Sequence, residues 1–129
     1  MKIFRFNLLT SLLVMLFSVI FSTQNVMAQR LTKTQKANFT VLGNCSMCKE
    51  RIETAVLDIS GVKYVSWNAE TKELNTIYNR RRVDLSEIHK AIAHVGHDTP
   101  LYKAQDSTYQ SLPLCCLYER KDISVPKKP

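Results

Sequence analysis

The sequence predicts an α+β fold, an open-faced sandwich of order βαββαβ with a C-terminal extension, on three observations. Apolar residues recur at helical spacing in two segments, Cys45 to Ile59 and Leu85 to Val95. Short runs rich in β-branched and aromatic residues surround them, and glycine or polar turn residues punctuate the changes of period. Two helices with one apolar stripe each, and a sheet with one apolar face, can bury those surfaces only against each other.

The first residues of the 129 stand apart from that fold. Met1 to Asn7 carries Lys2 and Arg5, Leu8 to Phe21 is almost wholly apolar, and Val26-Met27-Ala28 offers small side chains for cleavage. Residues 1–28 therefore read as a secretory signal peptide removed after Ala28. The apolar run is shorter than the ~20 residues of a membrane span, and no cysteine near its end invites lipidation. An exported product is expected, with the periplasm as its compartment. Residues 29–36 form a polar lead.

From there each element has its own signal. Asn38 to Leu42 alternates polar and apolar in its first four residues and stops at Gly43-Asn44, a half-buried strand and a turn. From Cys45 onward Cys48, Ile52, Ala55, Val56 and Ile59 line one face of a helix that Gly61 ends. Val62 to Trp67, a polar turn over Asn68 to Lys72, and Leu74 to Tyr78 read as a hairpin. Asp84-Leu85-Ser86-Glu87 matches a capping box, and Leu85, Ile88, Ile92 and Val95 give a second amphipathic helix that stops at Gly96. Asp98 to Lys103, interrupted by Pro100, is expected as a short fourth edge strand. The order over residues 37–103 is that of a ferredoxin-like sandwich. Residues 104–129 form the extension, with an apolar stretch from Tyr109 to Tyr118 that packs and a Pro/Lys end, Ser124 to Pro129, that frays.

Composition excludes wholesale disorder: 45% of residues are hydrophobic and 22% charged. The net charge of +7, or +5 once Lys2 and Arg5 leave with the leader, speeds encounters with acidic partners, and export argues against nucleic acid as one of them. All four cysteines, Cys45, Cys48, Cys115 and Cys116, follow the leader, and in an oxidising compartment an even count makes disulfides the default.

Chemistry concentrates at Cys45-Ser46-Met47-Cys48, between a strand and the first turn of a helix. Free N–H groups and the positive helix end stabilise thiolate there, and the spacing lets two sulfurs grip one ion. Soft thiolates select Cu(I), Zn(II) or Hg(II) over Mg or Ca. Metal sites, redox dithiols and plain disulfides all use this spacing. Neither a nucleophile–base pairing nor a phosphate loop is visible, so a non-enzyme is expected.

The segment Phe39-Thr40-Val41-Leu42-Gly43-Asn44-Cys45-Ser46-Met47-Cys48, the pairs Ile52-Glu53 and Val56-Leu57, the step Ser60-Gly61-Val62 and the run Ala93-His94-Val95-Gly96 together resemble the heavy-metal-associated domain. That family includes copper chaperones, N-terminal domains of metal-exporting ATPases and a periplasmic mercury-binding protein. The resemblance implies one soft ion, Cu(I) above Hg(II) or Zn(II), held by Cys45 and Cys48 at the surface. It also implies transfer by ligand exchange to a metal-transporting membrane protein or another metal-binding domain. Sharing an ion between two CxxC loops would give a metal-bridged homodimer.

Three departures from the family pattern raise further candidates. The methionine that usually precedes the CxxC and plugs the core is missing, and Met47 is the residue at hand to fill that space. Gly96-His97 replaces the usual glycine-aromatic or lysine, so His97 is a candidate third ligand or an ordinary surface histidine. His89 and His94 read as solvated or partly packed. Cys115 and Cys116 have four outcomes: completing a site with Cys45 and Cys48, forming a separate transfer site, cross-linking the tail, or pairing with each other. Adjacent residues of an extended chain point to opposite sides, so both reach one ion only if the backbone turns there. Arg80-Arg81-Arg82 reads as a solvated loop or a docking patch for an acidic partner. The competing functions are a thiol–disulfide oxidoreductase and a disulfide-stapled structural module. Against the oxidoreductase, only one short strand precedes Cys45, and Ser46-Met47 replaces the Gly-Pro common in thioredoxin-like sites.

Overall fold

The structure, a computed structural model, describes residues 33–123. The expected signal peptide over 1–28 and the chain end over 124–129 lie outside the described residues. Strand β1 (Thr34–Thr40), helix α1 (Ser46–Leu57), strands β2 (Val62–Trp67) and β3 (Glu73–Asn79) and helix α2 (Leu85–His94) follow in the predicted order. The extension adds a short helix α3 (Asp106–Gln110) and a 3-10 turn over Leu114–Cys116. The three strands form one antiparallel sheet, β1-β3-β2, with Phe39 opposite Leu74 on one side of β3 and Trp67 opposite Leu74 on the other.

The core lies between that sheet and the two helices. Leu74, Thr76 and Tyr78 alternate inward along β3, Val65 and Trp67 do so along β2, and α1 contributes Cys48, Ile52 and Val56. α2 contributes Ile88, His89, Ile92 and Ala93. Burial of each large aliphatic side chain stabilises the fold by about 2 kcal/mol, which ties helix position to sheet position. The α+β, ferredoxin-like sandwich is thus the fold observed.

Its details differ from expectation in four places. β1 begins at Thr34, inside the polar lead, because an edge strand pairs through its backbone and shows many side chains to water. The fourth strand is absent among the described residues. Only Leu42 N–H reaches Asp98 O, at 3.0 Å, where a strand beside β1 would start; Thr99 N–H then donates to Tyr102 O and the chain turns away around Pro100. Asp84 caps α2 without a side-chain hydrogen bond, its backbone carbonyl instead accepting Glu87 N–H at 3.0 Å. His89 is buried against Phe39, ring centroids 3.8 Å apart, because it sits at the margin of the apolar stripe where β1 covers it; His94 is exposed. Among the described residues no helix is long and apolar enough to cross a membrane.

Candidate metal centre

Beyond β1, Val41 and Leu42 stay extended and buried, tied to Lys72 O and Asp98 O. Gly43 follows because nothing larger fits: a Cβ there would lie 3.0 Å from Trp67 Cη2 and 3.2 Å from Cys48 Cβ. Trp67 fills the space beneath the loop, its indole N–H donating to Val41 O at 3.1 Å. Its backbone is pinned from α1, where Glu53 accepts Trp67 N–H at 2.7 Å and Lys49 donates to Trp67 O at 2.7 Å. Met47 is not the plug. It is half exposed, and its sulfur accepts the Cys115 thiol at 3.5 Å.

Cys45 is the N-cap of α1, in extended conformation, and Cys48 lies fully buried one turn on. Their sulfurs are 3.4 Å apart, and Asn44 N–H donates to Cys48 Sγ at 3.4 Å. The extension brings in the second pair. Cys116 N–H donates to Pro113 O at 2.7 Å, closing a tight turn that puts both adjacent thiols on the same side. Cys115 Sγ then lies 3.5 Å and Cys116 Sγ 3.6 Å from Cys45 Sγ, with 3.9 Å between them. The three sulfurs of Cys45, Cys115 and Cys116 all lie within 4.8 Å of one another, and all four cysteines are free thiols.

Polar bonds hold the extension in this position. Tyr118 hydroxyl donates to Gly96 O at 3.0 Å and accepts Asp98 N–H at 2.8 Å, and Tyr109 hydroxyl donates to Tyr118 O. Arg120 grips the buried Asp98 carboxylate through two nitrogens, at 2.7 and 2.6 Å, and reaches Asp106 at 2.6 Å. Asn44 Nδ2 donates to Leu117 O at 3.1 Å, joining the CxxC loop directly to the turn. Leu112 packs on Gly96, whose positive φ of 99° ends α2 and leaves no room for a side chain.

The thiols are unequal. Partial burial opposes ionisation of Cys45, but the Cys48 backbone N–H and the thiols of Cys48, Cys115 and Cys116 outweigh it, bringing Cys45 down to about 7. The hydrogen bond Cys115 donates to Cys45 holds its own thiol above the ordinary range. Burial, then donation to Cys48 and Cys45, pushes Cys116 up strongly. Cys45 is thus the readiest of these three to ionise, with Cys115 and Cys116 as donors to it, and a soft cation entering the cluster displaces the remaining protons.

His97 is neither a surface histidine nor part of the three-sulfur cluster. It is fully buried, its Nδ1 is 2.9 Å from Leu42 O, and its ring stacks on Tyr118. A carbonyl partner requires the proton on Nδ1, and burial lowers its basicity, so it serves as a neutral brace. Arg80, Arg81 and Arg82 are exposed, and Arg82 lies beside Gly61, past the far end of α1. A helix of 12 residues spans about 18 Å, so the triplet is remote from the sulfurs. The residues that sequence reasoning missed are Asn44, Trp67, Asp98 and Arg120, while Tyr118 anchors the tail as its apolar stretch predicts; Pro113 was the available signal for the turn that joins the two cysteine pairs.

The family described as heavy-metal-associated domain matches residues 44–98. Residues 44–98 are a heavy-metal-associated domain. The N-terminal domain of a potential copper-translocating P-type ATPase from Bacillus subtilis, in the Cu(I)-loaded state, is 30% identical, with TM-score 0.50 over 58% of this chain and 95% of that one. The water-soluble region of the P-type ATPase CopA from Bacillus subtilis is 25% identical, with TM-score 0.51 over 54% of this chain and 47% of that one. A CopZ metallochaperone is 29% identical, with TM-score 0.49 over 50% of this chain and 98% of that one. No curated protein matches the sequence. The heavy-metal-associated domain ends at Asp98 by this match, so Cys115 and Cys116 stand outside it and pack onto its CxxC loop.

Proposed function

We propose that this protein is an exported, non-enzymatic carrier that takes up one soft cation, Cu(I), through Cys45 and Cys48 and gives it up to a partner by ligand exchange. The observation that carries the reading is the CxxC at the N-terminus of α1 within a heavy-metal-associated domain, with two sulfurs 3.4 Å apart and Cys45 poised near neutrality. Similarity to a copper-translocating ATPase domain in its Cu(I)-loaded state supports copper over mercury or zinc. The leader-like composition of residues 1–28 supports export to a periplasm.

Uptake starts at Cys45, which is partly exposed and whose thiol is brought down to about 7. The ion then draws in Cys48, whose sulfur lies 3.4 Å away and already accepts Asn44 N–H. Transfer needs no redox change: an acceptor thiolate bonds to the ion, a carrier sulfur leaves, and that sulfur takes the proton the acceptor gave up. The acceptor is a metal-transporting membrane protein or another metal-binding domain, which supplies thiolates of the same kind.

The test is Cu(I) stoichiometry by anaerobic native mass spectrometry on residues 29–129, which contain the whole described fold. The reduced protein is expected to hold one ion, and Cys45→Ser with Cys48→Ser is expected to lose tight binding, releasing the ion to a competing chelator that the unaltered protein resists, while keeping its circular dichroism. Full affinity for Cu(I) in that double variant would overturn the assignment.

A further inference from the structure

We infer that Cys115 and Cys116 join the CxxC as ligands of the same ion, so that Cu(I) is held by at least three thiolates drawn from two distant segments. The inference rests on the carrier reading above and adds what the heavy-metal-associated domain alone does not contain.

Four observations carry it. Cys45, Cys115 and Cys116 form a set in which every sulfur is within 4.8 Å of every other, and Cys45 sits at its centre with neighbours at 3.4, 3.5 and 3.6 Å. Thiolates around one ion with metal–sulfur bonds of ~2.3 Å lie about 3.8–4.0 Å apart, so the set closes on an ion with shifts of a few tenths of an ångström. The turn that presents Cys115 and Cys116 is built into the structure, by the Cys116–Pro113 bond, the Asn44–Leu117 bond and the Tyr118 hydroxyl on Gly96 and Asp98. Two further soft sulfurs lie beside the set: Cys48 Sγ is 3.4 Å from Cys45 Sγ, and the thioether of Met47 is 3.5 Å from Cys115 Sγ.

The donor chemistry narrows the ion. The mutually close set contains neither imidazole nor carboxylate, so every donor at hand is sulfur. Thiolate with thioether nearby suits Cu(I). Binding releases each thiol proton to solvent, forms copper–sulfur bonds and leaves copper in the same oxidation state, so no oxidant or reductant is involved.

The experiment is copper K-edge X-ray absorption on reduced residues 29–129 loaded anaerobically with one equivalent of Cu(I), together with competition against a chromophoric chelator. Three or four sulfur neighbours are expected. Cys115→Ala with Cys116→Ala is expected to leave two, with Cu(I) affinity lower by at least about tenfold, the loss that changing even a supporting residue causes. Cys116 is buried, so Cys115→Ala alone serves as the second variant: Cys115 is exposed, and its loss should remove one sulfur neighbour without altering the fold. Two sulfurs and equal affinity in all of these proteins would overturn the inference and leave the carrier reading standing. Undiminished Cu(I) affinity in Cys45→Ser with Cys48→Ser would instead overturn the carrier reading.

Discussion

The CxxC loop and the Cys115–Cys116 turn bring the same chemistry from two parts of the chain that are fixed in different ways. The loop stands on apolar packing: Cys48 is one of a row with Ile52 and Val56 on α1, and Trp67 closes the space beneath it. The turn is held by a few polar groups, chiefly Asp98, Tyr118 and Arg120, with Leu112 and Cys116 as its apolar anchors. Packing is distributed and tolerant of loss at its edges. A buried carboxylate held by one arginine is not, because removing the arginine leaves a charge with no water to accept it. The polar side should therefore be able to fail while the packed side holds.

The largest expected effect breaks the packed side. Ile52→Ala removes a side chain with no exposure from the middle of α1 and should cost about 3–4 kcal/mol. Urea denaturation should show the loss, and amide exchange should accelerate across both helices and the turn together. Acceleration limited to α1 would mean that the sandwich is not one cooperative unit.

Breaking the polar side should cost slightly less and act locally. Arg120→Ala leaves the Asp98 carboxylate, 1% exposed, without its partner and should destabilise by about 3 kcal/mol. Faster amide exchange is expected at Leu112, Cys116 and Tyr118, with β3 and α1 unchanged. Uniform acceleration throughout would contradict the separation drawn here.

Acid sharpens the contrast with a smaller effect. Burial holds His89 down at about 4, against 6.5 for the free side chain. Between those values the unfolded chain binds a proton that the folded chain refuses, so stability falls as pH drops below 6.5, by about 2 kcal/mol at pH 5. The burden falls on the sandwich, where His89 stacks on Phe39. His89→Leu should flatten the decline in urea midpoints between pH 6.5 and 5, and an unchanged slope would show that His89 is not its source.

The same contrast explains what the sequence reveals. Apolar periodicity located both helices and the hairpin, because a stripe such as Cys48-Ile52-Val56 is written locally at one period. The CxxC was legible for the same reason. The missing fourth strand was not, since Asp98 is taken up by Arg120, 22 residues later, and Tyr118, 20 residues later, and such pairs leave no periodic trace. His97 fits the same explanation: its role depends on Leu42 O and Tyr118, neither of them near in sequence. That Cys115 and Cys116 reach Cys45 depended on a three-residue turn, for which Pro113 was a weak local sign.

The convergence of the two segments on one ion is tested most directly by following backbone amide resonances of 15N-labelled, reduced residues 29–129 as Cu(I) is added without oxygen. The expected result is that Cys45, Cys48, Cys115 and Cys116 shift together and saturate at one equivalent. Shifts confined to the CxxC loop, or to the Cys115–Cys116 turn, would contradict a shared site.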